Sequence, residues 1–186
     1  MNPAIFLDRD GTINVDREYL CSIGECEYLD GVIEALRELN QMGFKLIIVT
    51  NQSGIARGYF TESDYLQFMN WMIADLKDKG VSIDGQYYCP HLPGATVKKY
   101  DMICACRKPA TELYFRAIKE KNIDIDHSFA VGDRLRDLAI CKDTKIRGIL
   151  LEKNREYVET DFPYVICSNW IETLNYIKRE VLKQGE

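Results

Sequence analysis

Two carboxylates one residue apart, Asp8 and Asp10, stand in the stretch Phe6-Leu7-Asp8-Arg9-Asp10-Gly11-Thr12. Acidic groups so spaced can hold a hard cation through oxygen, and one of them can attack an electrophilic phosphorus. Either task needs a rigid mount. The apolar run Ala4-Ile5-Phe6-Leu7 reads as a short buried strand, which sets both carboxylates just beyond its carboxyl end, where open α/β sheets place their ligands. Gly11 then lets the backbone leave sharply. Taken alone, the pattern also fits an Asp-rich turn that merely closes a strand.

Three further groups follow other apolar runs. Thr50-Asn51-Gln52-Ser53-Gly54 ends one run with a hydroxyl, amides and exposed backbone N–H groups. Arg107-Lys108-Pro109 precedes a helical pattern, and Gly132-Asp133-Arg134-Leu135-Arg136-Asp137 closes Phe129–Val131 with more carboxylates. Each alone is weak, since a strand-ending Thr is commonly a cap and a Lys-Pro pair commonly surface.

The elements that must position these groups alternate along the chain. Runs at 45–50, 86–89, 129–131, 148–151 and 164–167 are continuously apolar, as strands buried on both faces of a parallel sheet are. Between them, Val32, Leu36 and Leu39 keep helical spacing, with Asp30 as a candidate N-cap and Gly43 beyond the end. Tyr65, Met69, Met72 and Leu76 do the same in a longer helix that Thr61 could cap, and segments 113–118 and 171–181 supply two more. The pattern predicts an α/β protein, a three-layer doubly wound parallel sheet, with residues 1–186 forming one domain.

One stretch, 90–110, is too polar and punctuated for either element. Cys89-Pro90-His91 and Cys104-Ala105-Cys106 bracket it, and together Cys89, His91, Cys104 and Cys106 make a Cys₃His set suited to a structural zinc ion, in a loop spanning 89–106. With four protein ligands, no coordination position is left open for chemistry. The alternative is that Cys89 ends a buried strand and the others are incidental. Cys21, Cys26, Cys141 and Cys167 lack companions at ligand spacing, and His127 reads as a capping or surface residue.

The 186 residues carry a formal charge of −5, which argues against nucleic acid as a partner. No apolar run approaches the roughly 20 residues that span a bilayer, and no export signal is visible. Seven cysteines are too dilute for a disulfide scaffold, so reduced thiols and a cytoplasmic location are expected. The acidic, unpatterned surface fits a monomer.

The order Asp-x-Asp-Gly-Thr, Thr-Asn, Lys-Pro, Gly-Asp-x-x-x-Asp resembles the haloacid dehalogenase superfamily of phosphohydrolases, over nearly the whole chain. The resemblance implies a Rossmann-like fold and an aspartyl-phosphate mechanism, with Asp8 as nucleophile and Asp10 as acid/base, protonated at the outset. It implies Mg²⁺ held by the Asp8 carboxylate, the Asp10 backbone carbonyl and the Asp133 carboxylate, with Thr50 and Lys108 gripping the transferring phosphoryl group and Asp137 orienting from behind. The segments Phe6–Asn14 and Thr50–Gly58, with Cys-x-His and Cys-x-Cys-Arg-Lys-Pro, are similar to the heptose bisphosphate phosphatases of that superfamily. The histidinol-phosphatase group shares most of these motifs with a shorter zinc loop. A small sugar phosphate as substrate is thereby implied, lined by Asp16, Arg17, Glu18 and Tyr19 and by Asn51, Gln52 and Ser53. Arg107 would meet the phosphate that is not cleaved, and Arg134 would touch substrate. The gaps between motifs imply a capless member. Ala110-Thr111-Glu112-Leu113 departs from the usual continuation after Lys-Pro. Other readings are a phosphatase for a different small ester, a catalytic-zinc hydrolase, and a zinc-stabilised binding protein without turnover.

Overall fold

The computed structural model of the chain describes residues 1–154 and 156–184. Six strands, β1 (Ala4–Leu7), β2 (Lys45–Asn51), β3 (Gly85–Cys89), β4 (Phe129–Gly132), β5 (Arg147–Leu151) and β6 (Tyr164–Cys167), form one sheet in the order β3-β2-β1-β4-β5-β6. Every pairing is parallel, with Ile5 beside both Leu46 and Phe129 in register. The chain order reverses between β1 and β4, so the crevice outside these two strands is the expected ligand site.

Among the described residues, six helices connect or flank the strands: α1 (Val32–Gln41), α2 (Ser53–Arg57), α3 (Glu62–Asp78), α4 (Glu112–Lys121), α5 (Ile140–Asp143) and α6 (Trp170–Gln184). Side chains alternate across a strand, so β1 feeds two cores. Ile5 and Leu7, with Leu46 and Ile48 of β2, pack against α1, α3 and α6 through Leu36, Met69, Trp170 and Ile177. Phe6, Ile47 and Val49 face the other way, against Leu113, Tyr114 and Ala117 of α4 and Ile140 and Cys141 of α5. Helices on both faces of a parallel sheet give the expected three layers.

Thr61 caps α3 as anticipated, in a capping box with Asp64 that satisfies two backbone donors reciprocally. Asp30 does not cap α1. Gly31 occupies that position at φ 75° with no side-chain cap, because the chain enters the helix through a left-handed turn that only a residue without Cβ takes readily. The stretch 90–110 is mostly irregular, with one short 3₁₀ turn, Lys98–Tyr100, whose Tyr100 is buried and donates to Glu62 of α3 at 2.7 Å. No described helix is long and apolar enough to cross a membrane.

Candidate active site

Asp8, one residue past β1, lies at the floor of a cleft outside the carboxyl ends of the strands, and the Lys108 ammonium donates to its Oδ1 at 2.7 Å. The same ammonium donates to the Val49 carbonyl at 2.7 Å and stands 2.8 Å from Asp137 Oδ1. Lys108 is almost fully buried, so three oxygens replace its hydration shell. Asn51 fixes the lysine's backbone from both sides, accepting from its N–H and donating to its carbonyl, each at 3.0 Å. The residue expected to face sugar therefore also holds the catalytic lysine candidate in place.

Carboxylate oxygens of Asp8, Asp133 and Asp137 lie within 4.8 Å of one another. Gly11, at φ 79°, passes so close that a Cβ there would sit 2.4 Å from Asp133 Oδ2. A Cβ on Gly132 would meet the Asp137 side chain at 2.3 Å. Both glycines are thus required by the crowding of carboxylates. Asp10 stands apart from this group, its carboxylate receiving Arg9, Asn14 and Gln52. Gln52 also donates to Thr50 Oγ1 at 3.0 Å, which links the predicted phosphoryl-gripping hydroxyl to the predicted acid/base.

The cleft has a volume of about 390 Å³. Asp8, Asp10, Asp16, Glu18, Tyr19, Asn51, Gln52, Ser53, Arg107 and Arg134, all site candidates from their motifs, line it. Arg17 does not join them: it is exposed and pairs with Glu27. Glu18 and Tyr19, which do line the cleft, take positive φ values of 47° and 67°. Arg57 and Arg136 line the cleft too and were not singled out beforehand. Arg134 is engaged by Asp16 at 3.1 Å and Asp133 at 3.5 Å, whereas Arg107 rests on the His91 carbonyl at 3.2 Å.

Residues 3–143 match the family model of haloacid dehalogenase-like hydrolases. The chain belongs to that family. This hydrolase is 48% identical over 159 residues to the D-glycero-beta-D-manno-heptose-1,7-bisphosphate 7-phosphatase of Photorhabdus laumondii, covering 86% of this chain and 85% of the relative. It is 52% identical over 136 residues to the enzyme of the same name from Escherichia coli K12, covering 73% and 71%. Its fold matches the D,D-heptose 1.7-bisphosphate phosphatase of B. bronchiseptica, complexed with magnesium and phosphate, with a TM-score of 0.80, 28% identity and coverage of 97% and 99%.

The hydrolase's carboxylate cluster suits a divalent cation. Burial pushes Asp8 up to about 6 against the pull of Lys108, with Asp137 and Asp10 adding repulsion. Burial, then repulsion from Asp8 and Asp137, pushes Asp133 up to about 7. Lys108 shifts upward because Asp8, Tyr114 and Asp137 outweigh its burial. Asp133 Oδ1 is buried without a hydrogen-bond partner, a cost that only a cation or a donor can relieve. Asp8 and Asp133, with Asp137 behind, thus fit the Mg²⁺ site that the motifs imply.

A stability prediction follows for the magnesium-free protein. An acid whose folded value lies above its unfolded one keeps a proton that the unfolded chain loses, so stability falls as pH rises from about 4 to about 7. Asp133→Asn removes that burden. In zinc-replete, magnesium-free protein, urea melts at pH 7.5 are expected to show the variant more stable by about 1–3 kcal/mol, the gain vanishing near pH 4. An equal difference at both pH values would contradict the assignment.

Beyond the cleft, Cys89, His91, Cys104 and Cys106 converge, their ligand atoms within 4.8 Å of one another. The Sγ–Sγ separations of 3.0, 3.3 and 3.6 Å, and the 3.3 and 3.7 Å from His91 Nδ1 to two of the sulfurs, approach the edge of about 3.8 Å expected between thiolates on tetrahedral zinc. The donor set fits zinc. Arg107 and Lys108 follow directly after Cys106, so the loop delivers both cations to the cleft.

Proposed function

We propose that the chain hydrolyses a phosphomonoester through an aspartyl-phosphate, and that its substrate is D-glycero-β-D-manno-heptose 1,7-bisphosphate, from which it removes the 7-phosphate. The carrying observation is the buried Asp8–Lys108 pair at the floor of a cleft that also presents Asp10. An Asp8 oxygen attacks phosphorus as the bond to the sugar oxygen breaks, and the departing oxygen takes a proton from Asp10. Water then attacks phosphorus, gives its proton to Asp10, and the bond to Asp8 breaks to release inorganic phosphate. Lys108 and Thr50 neutralise charge on the phosphoryl oxygens. Mg²⁺, held by Asp8, Asp133 and the Asp10 carbonyl, supplies further charge neutralisation when bound.

A bisphosphate suits the cleft's arginines. Burial lowers Arg107, and Arg136 and Arg57 add to that fall by repulsion. Like charges held together at one wall favour a second anionic group on the substrate, which a guanidinium fork can grip. The β anomer is chosen from the names of the relatives at 48% and 52% identity. Structural zinc at 89–106 orders the wall that carries Arg107. Cys21, Cys26, Cys89, Cys104, Cys106 and Cys141 are free thiols, in keeping with action in a reducing cytoplasm.

Comparison of kcat/KM on the β and α heptose bisphosphates, the 7-monophosphate and histidinol phosphate tests the substrate. The β bisphosphate is expected to lead, with at least ~10-fold loss on deleting the 1-phosphate, worth about 1.4 kcal/mol. Preference for histidinol phosphate would overturn this choice while leaving the chemistry intact.

A further inference from the structure

The residue between the two catalytic carboxylates has no role in the mechanism above, yet Arg9 is the most thoroughly enclosed charge in the described molecule, with 0% exposure. Its Nη2 reaches both Asp10 oxygens, at 2.9 and 2.8 Å, and its Nε reaches both at 3.1 Å. Nη2 also donates to the Leu20 carbonyl at 2.9 Å, and Nη1 lies 3.7 Å from Met69 Sδ. The guanidinium carbon stands 5.7 Å from the Tyr65 ring centre and 5.1 Å from that of Phe68, both on α3. Desolvating an arginine so completely is costly unless ion pairing and hydrogen bonds offset it, which here fixes the guanidinium against Asp10 and the Leu20 carbonyl.

Asp10 receives two other donors, Asn14 Nδ2 at 3.0 Å and Gln52 Nε2 at 3.1 Å. Asn14 Nδ2 also donates to the Val15 carbonyl at 2.9 Å, which fixes that amide with its nitrogen toward Asp10. Arginine has no acceptor at all. The protein groups bonded to Asp10 therefore all offer hydrogen, and none can accept a carboxyl proton. The open side of Asp10 is the cleft.

We propose that Arg9 is a positioning residue for the reaction: its buried guanidinium, with Asn14 and Gln52, clamps Asp10 so that a carboxyl proton points into the cleft, at the departing oxygen. The same fork ties that orientation to Leu20, which ends the cleft-lining loop of Asp16, Glu18 and Tyr19. The inference rests on the acid/base role proposed for Asp10. A lysine keeps the charge but cannot reach both oxygens and the carbonyl from one planar group.

Esters with different leaving groups separate this role from mere packing. An alkyl phosphate needs its departing oxygen protonated, whereas p-nitrophenolate leaves without help. In stopped-flow experiments, Arg9→Lys is expected to slow phosphoryl transfer from the heptose bisphosphate ~100-fold while the p-nitrophenolate burst from p-nitrophenyl phosphate stays near wild type. Turnover after that burst is expected to be slow, because Asp10 must still accept a proton from water. In an Asp10→Asn background, Arg9→Lys should add no further loss on the alkyl ester. Parallel loss on both esters, no loss on either, or a full additional loss in that background overturns the proposal. Should the Arg9 variants not fold, Asn14→Ala removes another donor of the clamp at a buried residue that does not line the cleft: selective loss on the alkyl ester supports the proposal and equal loss overturns it. A wild-type protein that forms no phosphoenzyme with either ester would instead count against the proposed function.

Discussion

Asp8→Asn is expected to lower kcat by at least ~10⁴-fold, the scale seen when a covalent nucleophile is removed. The amide keeps the shape of the carboxylate but has no charge to share with phosphorus. It does not threaten the fold, since burial already disfavours the charged form at this position and holds Asp8 at about 6. Lys108 keeps Asp137 and the Val49 carbonyl as partners, so the ammonium is not left unpaired. Acid-quenched incubations with labelled substrate should trap a phosphoprotein in the wild type and none in the variant. Substantial residual turnover, with zinc bound, would transfer the chemistry to the metal loop and refute the covalent mechanism.

The parts of this site that were legible in the sequence are those carried by strand ends. Ala4–Leu7 is too short and too apolar to be anything but a buried strand, and that alone puts Asp8 at the sheet's ligand edge. Likewise β2 delivers Thr50, Asn51 and Gln52, and β4 delivers Asp133. Parallel neighbours in register bring three distant segments together without any side-chain information.

What escaped depends on which way a side chain turns after the backbone leaves its element. Arg17 leaves the cleft for Glu27 beside two consecutive positive-φ residues, Glu18 and Tyr19, and nothing in Asp16-Arg17-Glu18-Tyr19 marks that turn because neither is glycine. Asn51 reads as a polar lining residue, but its bonds to both sides of the Lys108 peptide join positions 57 apart in sequence. Arg136 reads as a surface charge until the 3₁₀ turn Leu135–Leu138 brings it round beside Asp137. The signal for Arg9 was available: side chains alternate as the chain leaves β1, so the residue between Asp8 and Asp10 turns away from the cleft and toward α3.

Cys106→Ser is expected to have the second-largest effect, and on different quantities. Zinc contributes an apparent ~10–16 kcal/mol in small finger peptides, where it must order the entire chain. Here the loop has its own anchors, among them buried Tyr100 and Ala95 and the bond from Val97 N–H to the Ala56 carbonyl, so only part of that contribution is at risk. A loss of about 4 kcal/mol would lower Tm by roughly 8–16 °C in a chain of this size. Catalytic consequences should divide between the two cations that follow the cluster. Lys108 is held independently by Asn51, Asp8 and Val49, so kcat below the melting range should fall by less than ~10-fold. Arg107 rests on the carbonyl of His91, a member of the proposed zinc set, so KM for the bisphosphate should rise far more than KM for a monophosphate. Metal-dye assays for zinc release, thermal melts and the two KM values check this together. If kcat collapses while both KM values hold, zinc supports the reacting centre itself, and the division of labour between Lys108 and Arg107 is wrong.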